Sequence, residues 1–268
     1  MATADSDTEE DNSLSIFQEP ATFRPPPPEP TKTSYTLQRG SPTLNLHLVG
    51  SSPLWGHILW HTSTTLAVYL EQQPWLVQGK TVLELGAGAG LPGLVAAILG
   101  ARKVCLTDYP DTDLIENLAS NVKECGSLWR SETEVVAEGF LWGSSPDSKM
   151  KSMLEDGFDV LILSDLLFNH SEHVKLVASV KACLKRDSTP GQQSSQSSWK
   201  DRPRALVFFT PHRPWLYKKD LDFFEVARRE GLVVEKVFEK VLERPMFAED
   251  RGDEKMRRTV EGWEVRWS

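Results

Sequence analysis

Cysteine is scarce in this 268-residue sequence, with three residues, Cys105, Cys125 and Cys183, odd in number and far apart. That spacing excludes a disulfide framework or a cysteine zinc site and fits reduced thiols in the core of a cytoplasmic protein. No apolar run approaches the roughly 18 residues of a membrane helix, and the acidic N-terminus lacks the features of a secretory signal. Neither membrane nor secretion is therefore expected. Basic residues are in deficit, 30 Lys and Arg against 38 Asp and Glu, for a net charge of −8. The deficit argues against direct nucleic-acid binding, which draws on clustered cations, and leaves room for a basic protein as partner. His57 and His61 have no cysteine or carboxylate at ligand spacing, and no metal site is expected.

A 40% hydrophobic and 25% charged composition is that of an ordinary globular chain, long enough for one large domain. Residues 1–39 begin polar and acidic (Asp5, Asp7, Glu9, Glu10, Asp11) and continue into the proline run 25–28. Such a segment buries too little apolar surface to offset its ordering entropy, so it is expected to be disordered and outside the fold, with 13–17 as a docking patch. The domain is expected over 40–268. A Ser/Gln-rich surface insertion falls at 187–201.

The chain is organised around residues 80–93, KTVLELGAGAGLPG. Thr81, Val82, Leu83 and Leu85 favour a buried strand. Gly86, Gly88 and Gly90 let the backbone turn sharply and approach a ligand, and Pro92 suits the first turn of a helix. Gly88, Gly90 and Gly93 satisfy G-x-G-x-x-G, and Asp108 ends a second strand 20 residues beyond Gly88, where an acidic residue can accept both ribose hydroxyls of a nucleoside cofactor. A plain tight turn, a nicotinamide dinucleotide and S-adenosylmethionine all satisfy this stretch taken alone.

The flanking sequence alternates strands and helices. A strand or hairpin arm falls at 43–49, an entry segment and helix at 54–70, and a crossover helix at 94–99 that Gly100 ends. Strands follow at 103–108, 134–137, 158–164 (the most continuous apolar run, hence central), 205–210, 233–241 and 259–267. Leu114, Leu118 and Val122, then Leu176, Val180 and Leu184, and then Leu221, Phe224 and Ala227 stripe three further helices. Such alternation predicts an α/β, doubly wound, Rossmann-like seven-stranded sheet with ligands beyond the carboxyl ends of its strands. The last two strands, joined without a convincing helix, are expected to be antiparallel, with the final strand at the sheet edge. That feature is unusual in a dehydrogenase.

From about residue 43 to 267 the sequence resembles the class I, seven-β-strand methyltransferases. Glu84 two residues ahead of Gly86-Ala87-Gly88 matches their first motif. ILW at 58–60, ELGAGAGLPG at 84–93, LTDYPD at 106–111, Trp142 and SDLLFNH at 164–170 resemble methyltransferase family 16, and within it the group that methylates the N-terminal region of translation elongation factor 1-alpha on its α-amine and adjacent lysine. The resemblance implies S-adenosylmethionine as cofactor and a protein acceptor, with a small amine of the nicotinamide type as the alternative; a cytoplasmic monomer is expected. It implies that Gly86, Ala87 and Gly88 pass the methionine moiety, Asp108 holds the ribose, Trp142 lies against the adenine, Trp60 closes the site and Ser164 contacts the cofactor. Asp165 falls on the relatives' acidic D-x-x-Y motif and is expected to orient or attract the amine. Phe168 replaces that motif's tyrosine, with Asn169 or His170 as substitute polar contacts. On sequence physics alone Trp60 also reads as a core tryptophan and Asp165 as a helix cap. His212 reads either as part of a substrate-facing loop or as a solvated turn, and the acidic loop 249–254 as solvent-exposed charge or an attractor for a lysine-rich tail.

Overall fold

A computed structural model describes residues 28–53, 55–146, 150, 156–186 and 199–268. The docking patch at 13–17 and most of the Ser/Gln insertion lie outside the described residues.

A small antiparallel pair comes first, β1 (Thr31–Thr36) and β2 (Thr43–Leu48). The N-terminal segment placed outside the fold through residue 39 thus enters it by Thr31. Composition missed this because β1 is polar and gains its place from hydrogen bonds: the Tyr35 hydroxyl and the Gln38 N–H both donate to Glu71 (2.6 and 2.7 Å). β2 supplies the apolar side, with Leu44, Leu46 and Leu48 buried.

The main sheet has seven strands: β3 (Thr81–Leu85), β4 (Lys103–Asp108), β5 (Glu134–Gly139), β6 (Val160–Ser164), β7 (Arg204–Phe209), β8 (Leu232–Val241) and β9 (Thr259–Trp267). Their spatial order is β5-β4-β3-β6-β7-β9-β8. β3 to β7 are parallel, and β9 runs antiparallel to both of its neighbours. β6 is the fourth of seven, as its unbroken apolar run requires. The final strand is not at the edge: β9 is inserted between β7 and β8, and β8 takes the edge. The residues explain the exchange. β8 carries Glu235, Lys236, Glu239 and Lys240 and is mostly open to water, which suits an edge that must resist pairing, whereas Val260 and Val265 of β9 are fully buried.

Helices α1 (His61–Gln72), α2 (Leu91–Ile98), α3 (Thr112–Cys125), α4 (His173–Cys183) and α5 (Tyr217–Arg229) cover the two faces, and a short α6 (Glu254–Arg257) joins the last two strands. One apolar cluster joins α1, α2 and the hairpin to one face of the sheet, and a second joins α4 and α5 to the other. Asp111 caps α3 by accepting from the N–H groups of Asp113 and Leu114, so the second aspartate of LTDYPD is structural. All three cysteines are buried. No helix among the described residues is long and apolar enough to cross a membrane.

Candidate active site

The cavity opens where the carboxyl ends of β3, β4 and β6 meet the segment that leads into α1. Trp60, Gly86, Ala87, Gly88, Asp108, Trp142, Ser164 and Asp165, scattered over about a hundred positions of sequence, all line it. Its empty space, mouth included, is about 1080 Å³.

The floor is built by the glycine loop. Gly86 has φ 61°, and a Cβ there would stand 2.6 Å from Leu166 Cδ2 and 3.4 Å from Trp142 Cζ2, so only glycine leaves the ring and the loop in contact. Gly93, inside the first turn of α2, faces a tighter wall: an added Cβ would meet Leu106 Cδ2 at 2.2 Å and Glu84 Oε2 at 2.7 Å. The reason is Glu84, 1% exposed at the end of β3, whose Oε2 accepts the Gly93 N–H at 2.8 Å. Burial pushes its carboxyl up to about 8; the Gly93 bond opposes the rise and the nearby Asp108 charge adds to it.

Asp108 closes β4. Its Oδ2 accepts the Gly88 N–H at 2.6 Å and its Oδ1 the Tyr109 N–H at 2.7 Å, which fixes the plane of the carboxylate across the loop. Burial raises its pKa, and the two backbone bonds oppose that rise. A carboxylate has about four acceptor positions, so two remain for hydroxyl donors of a ligand. Ser164 Oγ, at the end of β6, is buried on the cavity wall with no hydrogen-bond partner. A buried hydroxyl without a partner costs free energy, and a ligand in this cavity would supply one. Together, the glycine floor, an oriented carboxylate and an orphan hydroxyl fit a ribose-bearing cofactor.

Asp165 directly follows Ser164 on the cavity lining. Asp165 is 8% exposed and sits at φ 61°, a left-handed conformation that aspartate tolerates better than most residues. It caps no helix. Its Oδ1 accepts the Thr210 N–H (3.0 Å), and its Oδ2 accepts from Thr62 Oγ1 (3.0 Å) and pairs with His212 Nε2 (2.9 Å). His212 is accordingly not a solvated turn residue. Burial opposes a charge on its imidazole, but the Asp165 carboxylate, helped by Asp250 and Asp220, outweighs burial and raises its pKa.

Trp60 is neither fully buried nor free. Its ring lies 4.8 Å from that of His212, 5.9 Å from Phe247 and 6.3 Å from Trp55 by centroids. Trp55, 47% exposed, holds φ 63°, a strained state for a bulky residue. Phe168 and Asn169 line the cavity, whereas His170 is drawn away to Asp220 at 2.6 Å. The acidic loop 249–254 is exposed, with Asp253 capping α6.

Thr62, Thr210 and Trp55 were not singled out by the sequence. Thr62 and Thr210 reach Asp165 from 103 and 45 positions away, and no local pattern marks them. Tyr109 was within reach, since it directly follows Asp108 in the same motif.

Comparison with known proteins adds an independent line. A family model described as lysine methyltransferase matches residues 41–225. The chain is 45% identical over 260 residues to a protein N-terminal and lysine N-methyltransferase of Neurospora crassa, covering 94% of this chain and 87% of that one. It is 42% identical over 270 residues to the Schizosaccharomyces pombe protein of the same description, covering 98% and 97%. Among solved structures it is similar in fold to a 16S rRNA methyltransferase of T. thermophilus in complex with AdoMet and guanosine. The TM-score is 0.52 at 16% identity, over 91% of this chain and 52% of that one. It is likewise similar to P. horikoshii TYW2 in complex with MeSAdo, with TM-score 0.52 at 15% identity, over 89% and 72%.

Proposed function

The chain belongs to the lysine methyltransferase family, and from that premise we propose that it is an S-adenosylmethionine-dependent protein N-methyltransferase. Its proposed acceptors are the N-terminal α-amine and adjacent lysine of translation elongation factor 1-alpha. One observation carries the reading: a single cavity is lined by an oriented carboxylate, Asp108, an orphan hydroxyl, Ser164, and a second carboxylate, Asp165. The relatives' description as N-terminal and lysine N-methyltransferases supports the acceptor class. Three buried cysteines, odd in number and far apart in sequence, support a reducing compartment, the cytoplasm, and we take the enzyme to act as a monomer.

When bound, S-adenosylmethionine would supply an electrophilic methyl group on a sulfonium, open to in-line displacement by a neutral amine with S-adenosylhomocysteine as leaving group. The chain's task is alignment and desolvation. The Gly86–Gly88 backbone and Asp108 would hold the amino-acid and ribose portions, Trp142 and Ser164 the adenine side, and Trp60 would exclude water. Asp165 would draw in the amine and set its direction. The proton must leave the amine first. At pH 7 that costs about 4–5 kcal/mol for a lysine of ordinary pKa and about 1 kcal/mol for an α-amine, so the α-amine is the easier acceptor. For lysine, the apolar walls must disfavour the ammonium.

The test is incubation of the purified chain with tritiated S-adenosylmethionine and three acceptors: recombinant elongation factor 1-alpha, the same factor with an acetylated N-terminus, and nicotinamide. Label in the first, reduced in the second, is expected. Label in nicotinamide alone, or no label in the factor from a preparation that binds cofactor, contradicts the proposed acceptor.

A further inference from the structure

His212 joins the two halves of the site. Its Nε2 lies 2.9 Å from Asp165 Oδ2, while the same ring lies 4.8 Å from Trp60. Its own backbone is pinned, the His212 N–H donating to Thr210 O at 2.8 Å. The Thr210 N–H donates in turn to Asp165 Oδ1, and the Thr62 and Thr210 hydroxyls meet at 2.8 Å. Four side chains from α1, from the turn after β6 and from the loop after β7 therefore form one buried unit whose outer faces are Trp60 and Asp165.

Resting on the methyltransferase reading above, we propose that His212 is a positioning residue of the transfer reaction: its Nε2 edge fixes the Asp165 carboxylate toward the acceptor amine, while its ring face supports Trp60 over the cofactor. Seating the cofactor and aiming the acceptor are thereby tied to one imidazole.

The charges around His212 give the unit a pH dependence. Asp165 faces it from the turn after β6, Asp220 from α5, Asp250 from the loop after β8 and His61 from α1, where His61 in turn feels Arg244. Acid groups predominate, so the imidazole holds its proton to higher pH than an ordinary histidine. While protonated, it competes with an incoming ammonium for Asp165. Docking of the ammonium favours release of the imidazolium proton to solvent. Above that ionisation the neutral ring can still donate through Nε2–H, so Asp165 stays aimed with its charge free for the acceptor.

Two substitutions separate the edge from the face. His212→Gln keeps an amide N–H in the direction of Asp165 and removes the ring; His212→Phe keeps a ring against Trp60 and removes the donor. Calorimetry with S-adenosylhomocysteine should show roughly 3- to 10-fold weaker binding in His212→Gln, the scale of one aromatic pair, and a change within about 2-fold in His212→Phe. At saturating cofactor, His212→Phe should lower kcat/KM for the acceptor protein roughly 10- to 100-fold, the scale of one charged hydrogen bond. The ratio of wild-type to His212→Phe kcat/KM should change with pH through the histidine ionisation, since the acceptor amine's own ionisation cancels in that ratio. Equal losses of affinity and turnover in both variants, or a ratio flat with pH, overturn the proposal. If the wild type binds S-adenosylhomocysteine and modifies no amine, the methyltransferase reading fails by itself, and the contrast between Gln and Phe in cofactor affinity still decides the positioning role. Should either variant not fold, NMR titration of the His212 ring in the wild type and in Asp165→Asn decides: a pKa that falls in Asp165→Asn supports the unit, and an unmoved one overturns it.

Discussion

Glu84→Gln tests the electrostatics of the cradle most cleanly, because the two side chains have nearly the same shape and only one can ionise. Glu84 is 1% exposed, and burial pushes its carboxyl from 4.5 up to about 8. A group whose folded pKa lies above its unfolded value contributes stability that is fully present below the unfolded pKa and is lost as pH rises through the folded one. Here the window runs from about pH 4.5 to about pH 8. Within it the wild type should lose about 1 kcal/mol per pH unit relative to a neutral side chain, or about 2 kcal/mol between pH 5 and pH 7. Glutamine keeps a carbonyl oxygen for the Gly93 N–H and has no proton to lose. Urea unfolding of both proteins at pH 5, 6 and 7 reads the effect directly. With a slope near 3 kcal/mol/M, the gap between the midpoints should widen in favour of Glu84→Gln by about 0.7 M across that range. A constant gap would mean that Glu84 is already ionised in the folded chain, and the link from burial to protonation would fail.

Two further substitutions follow from the same geometry. Gly93→Ala places a Cβ 2.2 Å from Leu106 and 2.7 Å from Glu84, so it should destabilise the fold by about 1–3 kcal/mol; a melting temperature equal to the wild type by calorimetry would show that the wall yields. Ser164→Ala removes a hydroxyl with no partner in the chain, so stability should stay within about 0.5 kcal/mol while affinity for S-adenosylhomocysteine falls roughly 3- to 10-fold. Unchanged affinity would remove Ser164 from the cofactor's contacts.

Much of the fold was legible because its signals are local. The apolar run before Gly86 gives β3, the run Val104–Thr107 between Lys103 and Asp108 gives β4, and the stripe of Leu114, Leu118 and Val122 gives α3. The position of β9 was not legible in the same way: alternation shows that residues 259–267 form a strand but not which neighbours it pairs with. The exposed charges of Glu235, Lys236, Glu239 and Lys240 were the available clue that β8 belongs at the edge. β1 was missed for a related reason, since its place depends on Glu71, which lies 36 positions beyond Tyr35. At the site, most of the candidate residues brought to one cavity are those carried by compact motifs, Glu84 and Gly86 to Ala89, Asp108, and Ser164 with Asp165, joined by Trp60 and Trp142. Two of the partners that hold Asp165 in place are distant in sequence and chemically unremarked, a threonine on α1 and a threonine after β7; His212 drew notice, but its pairing with Asp165 did not. Tertiary hydrogen bonding of this kind leaves no periodic trace in a sequence.

The most direct test of the cofactor assignment is calorimetric titration of S-adenosylhomocysteine into the wild type and Asp108→Ala. Saturable one-site binding is expected in the wild type, weakened roughly 10- to 100-fold in Asp108→Ala by loss of the charged hydrogen bonds to the ribose. No binding to the wild type, or equal affinity in the two proteins, would contradict the account.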